Sequence, residues 1–376
     1  MTVTRFLNVT SFFASHGGGL ERVAAQMCQH LAALGNDVVW AASNADPAPQ
    51  GVAYRTLPLS CINPTEALTG LPMPIPGPLA VYRLWRAIGN TDIVVVHDAL
   101  YCTSIMAMVA ARLQRKPVIM IQHIAEIAFS SPVLRLVMKL ANNIVTRSMM
   151  YAADQVVFIS QTVLDDFASY RKKQPPKLIF NGVDSSIFHE MPSARKRFGL
   201  PEKGRIVAFV GRFVEKKGLN VLRSLAENRP DLQFALAGSG PIDPLAWNLP
   251  NIHVLGRLSQ QEVACLFATA DLLLLPSVGE GYPLVIQEAM ATGLPVVCGS
   301  ESARADPAAH TWLRGVTIDL RRPGQTASQI GAAIDALEMS AGERRKMMDY
   351  AKTHYDWTLF AERIMDIGKN ICEFHI

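Results

Sequence analysis

The sequence predicts an α/β protein of two domains, each built on an open sheet of parallel-type strands alternating with helices. Three observations predict it. A chain of 376 residues is too long for one ordinary core and fits two domains of somewhat under about 200 residues. Short apolar runs alternate with segments of helical period along its whole length. Loops rich in glycine and charge follow those runs, where open parallel sheets bind ligands.

The first element, Arg5 to Val9, is strand-like and leads into Ser15-His-Gly-Gly-Gly-Leu-Glu-Arg-Val23. Val23, Met27, Leu31 and Leu34 recur at helical spacing before Gly35, and a strand follows from Asp37 to Ala42. This βαβ opening places glycines where backbone must approach something closely. Gly17, Gly18 and Gly19 lack the G-x-G-x-x-G spacing, so a dehydrogenase is unsupported; their plain alternative is a loop before a helix. Met1 to Ala14 carries one arginine and a broken apolar run, which reads as a first strand and not as a signal peptide.

Strands are next expected over Ile93 to Val96 and Val118 to Gln122, followed by His97 and His123 respectively. A histidine past a strand's carboxyl end can bind a sugar hydroxyl or move a proton, or merely cap a loop. The functional reading is taken for His123 and the capping one for His97. Val133 to Met150 is apolar over most of its circumference, with Arg135, Lys139 and Arg147 on a polar stripe. Either it packs on a sheet and wets one face, or it lies as a basic amphipathic helix on an inner membrane leaflet, aided by Arg171, Lys172 and Lys173. The loop from Ser60 to Pro78 is rich in proline and leucine, and reads either as a lipid or glycan contact or as a plain connection.

Strands Gln155 to Ile159 and Leu178 to Phe180 lead to the turn at Asn181-Gly182, and the polar stretch Ser185 to Arg205 reads as a linker. The expected division is 1–184, 185–356 and a last helix within 357–376. In the second half, Ile206 to Val210 precedes Gly211-Arg-Phe-Val-Glu-Lys-Lys-Gly218, which sets Arg212 and Lys217 on one loop. Two cations there suit a diphosphate. Gln233 to Ala237 runs into Gly238-Ser-Gly240, and Ile252 to Leu255 into Gly256-Arg-Leu258. Leu272 to Leu275 runs into Pro276-Ser-Val-Gly-Glu-Gly-Tyr-Pro283, and a helix should begin at Pro283 and stop at Gly293. Glu280 on that loop and Glu288 in that helix can accept hydrogen bonds from sugar or ribose hydroxyls, while the amides of Leu284 and Val285 can hold a phosphate. The two glutamates are poorly placed to flank a glycosidic bond as a hydrolase pair.

Composition narrows the class. Hydrophobic residues make up 49% and charged residues 18%, which excludes disorder. Cys28, Cys61, Cys102, Cys265, Cys298 and Cys372 show no paired spacing, so reduced thiols in a cytoplasmic protein are expected, without a disulfide frame or zinc site. Residues 1–180 hold 15 Lys+Arg against 10 Asp+Glu, and the remainder 21 against 22. That excess of five is too dispersed for nucleic acid, but suits an anionic membrane surface or a phosphate-bearing acceptor. No run reaches the ~18 apolar residues of a membrane span.

Gly18-Gly-Leu-Glu-Arg22, Phe180-Asn-Gly-Val-Asp184, Val210-Gly-Arg-Phe213 with Lys217-Gly218, Ala237-Gly-Ser-Gly240 and Glu280 through Glu288 resemble, in order, the motif series of the retaining glycosyltransferases of family 4. The resemblance covers nearly the whole chain. It implies a GT-B fold, two Rossmann-like domains facing a central cleft, with the last helix crossing back to the first domain. It implies that Arg212 and Lys217 bind the donor diphosphate, that Glu288 binds ribose hydroxyls, and that Glu280 with the backbone of Gly281, Tyr282, Pro283 and Leu284 holds the transferred sugar. Gly18 and Gly19 would approach the donor from the other domain, with Gly238 and Gly240 lining its own side. His123 would stand near the reacting sugar, and Arg257 and Leu258 near the base. The expected partners are a nucleotide-sugar donor and a glycan or lipid-linked acceptor, with no cofactor; no Asp-x-Asp occurs, in keeping with a family that needs no metal. Gly299 to Asp306 departs from the family pattern. The same fold admits an epimerase-like sugar-nucleotide enzyme or a non-catalytic binding protein as alternatives.

Overall fold

Parallel pairing dominates both halves of the molecule. The computed structural model describes residues 3–64, 73–124 and 132–373. The chain forms two units, 1–181 with 357–376, and 182–356.

The first unit contains strands β1 (Arg5–Val9), β2 (Asp37–Ser43), β3 (Arg55–Leu59), β4 (Cys61–Ile62), β5 (Ile75–Pro76), β6 (Ile93–His97), β7 (Val118–Gln122), β8 (Gln155–Phe158) and β9 (Lys177–Leu178). Its main sheet runs β3-β2-β1-β6-β7-β8-β9, every pair parallel. All five residues of β6 and of β7 are buried, as strands covered by helices on both faces must be. The order reverses between β1 and β6, so the carboxyl ends of those two strands flank a crevice.

The last helix, Trp357–Glu373, belongs to this unit and packs on the Gly19–Ala33 helix. It buries Trp357, Phe360, Ala361, Ile364, Ile367, Gly368 and Ile371, at about 1.5–3 kcal/mol for each large apolar side chain. Gly368 lets it sit close: a Cβ there would meet the Ile93 side chain.

The second unit contains β10 (Arg205–Val210), β11 (Leu232–Ala237), β12 (Ile252–Gly256), β13 (Leu272–Leu275), β14 (Val296–Gly299) and β15 (Leu313–Val316). They run β12-β11-β10-β13-β14-β15, again all parallel. The four leucines of β13 are each fully buried, which explains why that run lacks strand alternation. Here the order reverses between β10 and β13.

Several sequence expectations change in detail. Val133 to Met150 is not one α-helix: Pro132–Ala141 and Arg147–Ala152 are joined by a π-helical segment, Asn142–Thr146. The side chains of 132–135 and 138, and with them Arg135, lie outside the described ones. The Ser60 to Pro78 loop includes a short antiparallel pair, β4 with β5, while 65–72 lie outside the described residues. The strand expected over Leu178 to Phe180 is shorter and earlier, at β9, and the one expected over Gln155 to Ile159 ends at Phe158. No helix among the described residues is long and apolar enough to cross a membrane.

Candidate functional site

The loops after β10 and β13 meet across the switch point of the second sheet. Lys217 closes a short 3-10 turn, Glu215–Lys217, whose cap Gly218 has φ +75°. Its Nζ stands 2.5 Å from Glu280 Oε1, with the two side chains 14% and 12% exposed. Backbone fixes the same approach, since Val278 N donates to Lys216 O at 3.0 Å. The half-buried Lys216 ammonium is held below its usual range, first by burial and then, against the pull of Glu280, by the charges of Lys217 and Arg212. Arg212, Lys216 and Lys217 thus share this edge with Glu280 and with Glu215 of the same turn, leaving a formal surplus of one positive charge. Such a surplus beside low-dielectric walls attracts an anion. Arg212 is exposed.

The glycines of these loops serve backbone packing. A Cβ on Gly218 would lie 2.1 Å from Pro276 O, and one on Gly240 2.4 Å from Phe213 O. A Cβ on Gly238 would lie 1.9 Å from Gly211 O. The loops after β10, β11 and β12 are laced by Gly211 N to Ala237 O at 3.0 Å, Phe213 N to Ser239 O at 2.9 Å and Gly238 N to Gly256 O at 2.7 Å. Gly238 and Gly240, expected at the donor, are therefore first of all the points where neighbouring loops touch. Arg257 is exposed and donates from Nε to Ser239 Oγ at 2.7 Å, with Leu258 half-buried beside it.

The helix after β13 spans Leu284–Ala291, with Pro283 as its N-cap and not its first residue. Gly293, at φ +76°, follows its end. The first-turn amides of Leu284 and Val285 are the donors that every helix start leaves outside its ladder. Glu288 lies one turn in and is 1% exposed. Tyr282, expected to offer its backbone, turns its side chain into the unit. It is 2% exposed, and its hydroxyl lies 2.9 Å from that of Tyr355. Tyr355 and Tyr350 in turn donate to Asp306 Oδ2 at 2.6 and 2.8 Å. Asp306 lies in the stretch that departs from the family pattern, and nothing in the sequence marked it as the hub of this network.

At the carboxyl edge of the first sheet, Gly18 caps the Gly19–Ala33 helix. A Cβ at Gly18 would strike the Glu21 carboxylate, whereas one at Gly19 meets nothing within 4 Å. His123 is 5% exposed and its backbone N–H donates to Asp98 Oδ1 at 2.7 Å. His97 corrects its sequence reading. It caps no loop but is fully buried, 2.8 Å from His123 and 2.8 Å from Asn8 Oδ1. Burial lowers the pKa of both rings, that of His123 to about 3. Asp98 has φ +53°, and burial raises its carboxyl to about 7 against the pull of the His123 and Ile124 amides. Sequence reasoning missed Asp98; its place one residue beyond β6, at the switch point, was the available signal. Asp98 Oδ2, Gln122 Oε1 and Ser277 Oγ are buried without a hydrogen-bond partner among the described residues. Two lie at this edge and one on the loop after β13, and a buried orphan of this kind costs about 1–3 kcal/mol unless a ligand or water meets it.

The sequence matches the models of Glycosyltransferase Family 4 over residues 17–187 and Glycosyl transferases group 1 over 190–354. A phosphatidyl-myo-inositol mannosyltransferase of Propionibacterium freudenreichii is 26% identical over 296 residues, 77% of this chain and 73% of that protein. A D-inositol 3-phosphate glycosyltransferase of Mycobacterium tuberculosis is 29% identical over 231 residues, which span 57% of this chain and about half, 47%, of that relative. In structure, Anabaena HepE in complex with UDP-glucose matches with a TM-score of 0.69 at 19% identity, covering 97% of this chain and 99% of that one. Fold and matches together define a glycosyltransferase of the GT-B type. The chain belongs to glycosyltransferase family 4.

Proposed function

We propose that the enzyme is a retaining hexosyltransferase that moves a hexose from a nucleoside diphosphate sugar, GDP-mannose or a UDP-hexose, to a glycan or lipid-linked acceptor, in bacterial polysaccharide or glycolipid synthesis. One observation carries the reading: Arg212, Lys216 and Lys217 share the switch point of the second sheet with Glu280. Breaking the anomeric bond leaves negative charge on the diphosphate and positive charge on the sugar ring. Arg212, Lys217 and the amides of Leu284 and Val285 stabilise the first, preorganised as such charges must be. Glu280 and the backbone from Gly281 to Leu284 hold the sugar, Glu288 the ribose, and Arg257 and Leu258 the base. In the front-face step the sugar–phosphate bond breaks, the acceptor oxygen bonds the anomeric carbon on the same face, and the departing phosphate oxygen takes the acceptor's proton. These cations do the work a metal would otherwise do.

A thermal-shift series with GDP, UDP, ADP, their sugars and NAD tests the donor site, because a ligand of the folded state raises the melting temperature by mass action. The expected result is a shift with one nucleoside diphosphate, lost in Lys217→Ala. A shift with NAD alone would overturn the reading. Conversion of the donor to an isomeric sugar nucleotide without acceptor would favour an epimerase-like enzyme.

A peripheral contact with the inner membrane face fits a lipid-linked acceptor. It is supported by Leu136, Val137, Leu140 and Ile144, each more than half exposed, alongside Lys139 and Arg147. Co-sedimentation with anionic vesicles, and its loss in Leu140→Asp, tests it; equal recovery with neutral vesicles would remove the basic residues from the account.

A further inference from the structure

Four buried side chains of the first unit form one hydrogen-bonded line: Cys28, Asn8, His97 and His123. Asn8 Nδ2 donates to Cys28 Sγ at 3.2 Å, so its Oδ1 faces His97 Nε2 at 2.8 Å. An amide oxygen only accepts, and therefore His97 carries its proton on Nε2. Burial keeps His97 neutral, which leaves its Nδ1 a bare lone pair. That Nδ1 lies 2.8 Å from His123 Nε2, so it accepts the His123 Nε2 proton. His123 is neutral as well, and its one remaining polar ring atom, Nδ1, is again a bare lone pair. A histidine's free nitrogen is thus decided two residues away from it, as second partners of imidazoles usually decide it.

We propose that Asn8 and His97 are positioning residues that fix His123 as the Nε2–H tautomer, so that its Nδ1 accepts a hydrogen bond from a hydroxyl of the bound sugar. The inference rests on the reading of His123 as a sugar contact. It gives His123 a definite role within that reading: with no proton at Nδ1, it orients the sugar and cannot protonate the leaving diphosphate. Asn8 stands on β1 and His97 ends β6, the two strands that flank the switch point. The sheet itself therefore sets the tautomer.

The test combines ring-nitrogen NMR of the full chain, labelled with 15N-histidine, with initial rates using UDP-glucose and GDP-mannose. Signals are assigned with His123→Asn. In the wild type, His123 should show a protonated Nε2 and a bare Nδ1. Asn8→Leu and His97→Leu should mix the tautomers and lower kcat/KM about tenfold, the scale of one lost hydrogen bond. His97→Asn, whose Oδ1 replaces the ring's Nδ1 as acceptor, should restore both. Thermal melts show which variants are folded, and the wild-type spectrum needs no variant beyond its assignment. A protonated Nδ1 in the wild type overturns the proposal. So does an unchanged rate in a folded His97→Leu variant whose tautomer has shifted. Unchanged rates in His123→Asn, with the expected wild-type tautomer, would instead sink the reading of His123 as a sugar contact.

Discussion

Lys217 and Glu280 pair at 2.5 Å across the point where the strand order of the second sheet reverses. Their pairing ties a residue expected at the diphosphate to one expected at the sugar. Lys217→Ala and Arg212→Ala should each lower turnover by about 100-fold or more, and initial rates within a few-fold of wild type would remove them from the site. Glu280→Ala should damage sugar use more than nucleoside diphosphate affinity. Lys217→Ala should also destabilise the protein by about 2 kcal/mol or more, because it strands a mostly buried carboxylate, and Lys217→Ala/Glu280→Ala should recover part of that loss in urea melts.

The glycines separate into two kinds that thermal melts and rates can tell apart. Gly218→Ala forces a Cβ onto Pro276 O at a left-handed φ, and should cost about 2 kcal/mol or more. Gly19→Ala meets open space at a helix start, so stability should hold or rise by about 0.5–1 kcal/mol. If donor passes close to Gly19, that same variant loses activity while keeping its melting temperature.

The Tyr282–Tyr355–Asp306–Tyr350 network should govern stability and not chemistry. Tyr282→Phe should cost about 1 kcal/mol with turnover within a few-fold of wild type. Asp306→Ala leaves two hydroxyls and the amides of Ala308 and Ala309 without their acceptor, and should cost about 3 kcal/mol or more. A loss of turnover in folded Tyr282→Phe would show that its hydroxyl reaches the substrate.

Acid stability should depend on the buried groups at the first sheet's edge. His123 and His97 titrate well below the usual 6.5 when folded. The unfolded chain therefore takes up their protons first as pH falls below 6.5, and stability is lost. Asp98 works the other way. Its folded value of about 7 exceeds the usual 3.8, so the folded state holds a proton the unfolded chain lacks between those limits. Near pH 5 the unfolded chain binds two protons on the histidines and the folded protein one on Asp98. The net of one from these three groups contributes a fall of about 1.4 kcal/mol per pH unit on acidification. Asp98→Asn removes the opposing group and should steepen the measured fall by about 1.4 kcal/mol per pH unit; an unchanged slope in urea melts between pH 4 and 6 would show that Asp98 is already ionised there.

The sheets were legible because a parallel strand buried on both faces must be a short apolar run, as Leu272 to Leu275 is. The cationic loop was legible too, since Arg212 and Lys217 flank a run that ends in glycine. What sequence could not supply was partnership at long range. His97 lies 26 positions from His123 and 89 from Asn8, and only the strand order makes them neighbours. Tyr282 was expected to offer its backbone, and no nearby residue announced that its hydroxyl meets that of Tyr355, 73 positions on. The break at Asn142–Thr146 left no glycine or proline in the sequence to announce it.

The lacing of Gly211, Gly238, Gly240 and Gly256 bears on how such enzymes diversify. Because the turns after β10, β11 and β12 touch through bare backbone, none of them can change its path while its neighbours stay put. A graft that carries one of these turns from a relative should disturb the rim, and one that carries all three should transplant cleanly. Novelty in donor choice is then inherited by the block, while the side chains the block displays stay free to vary singly.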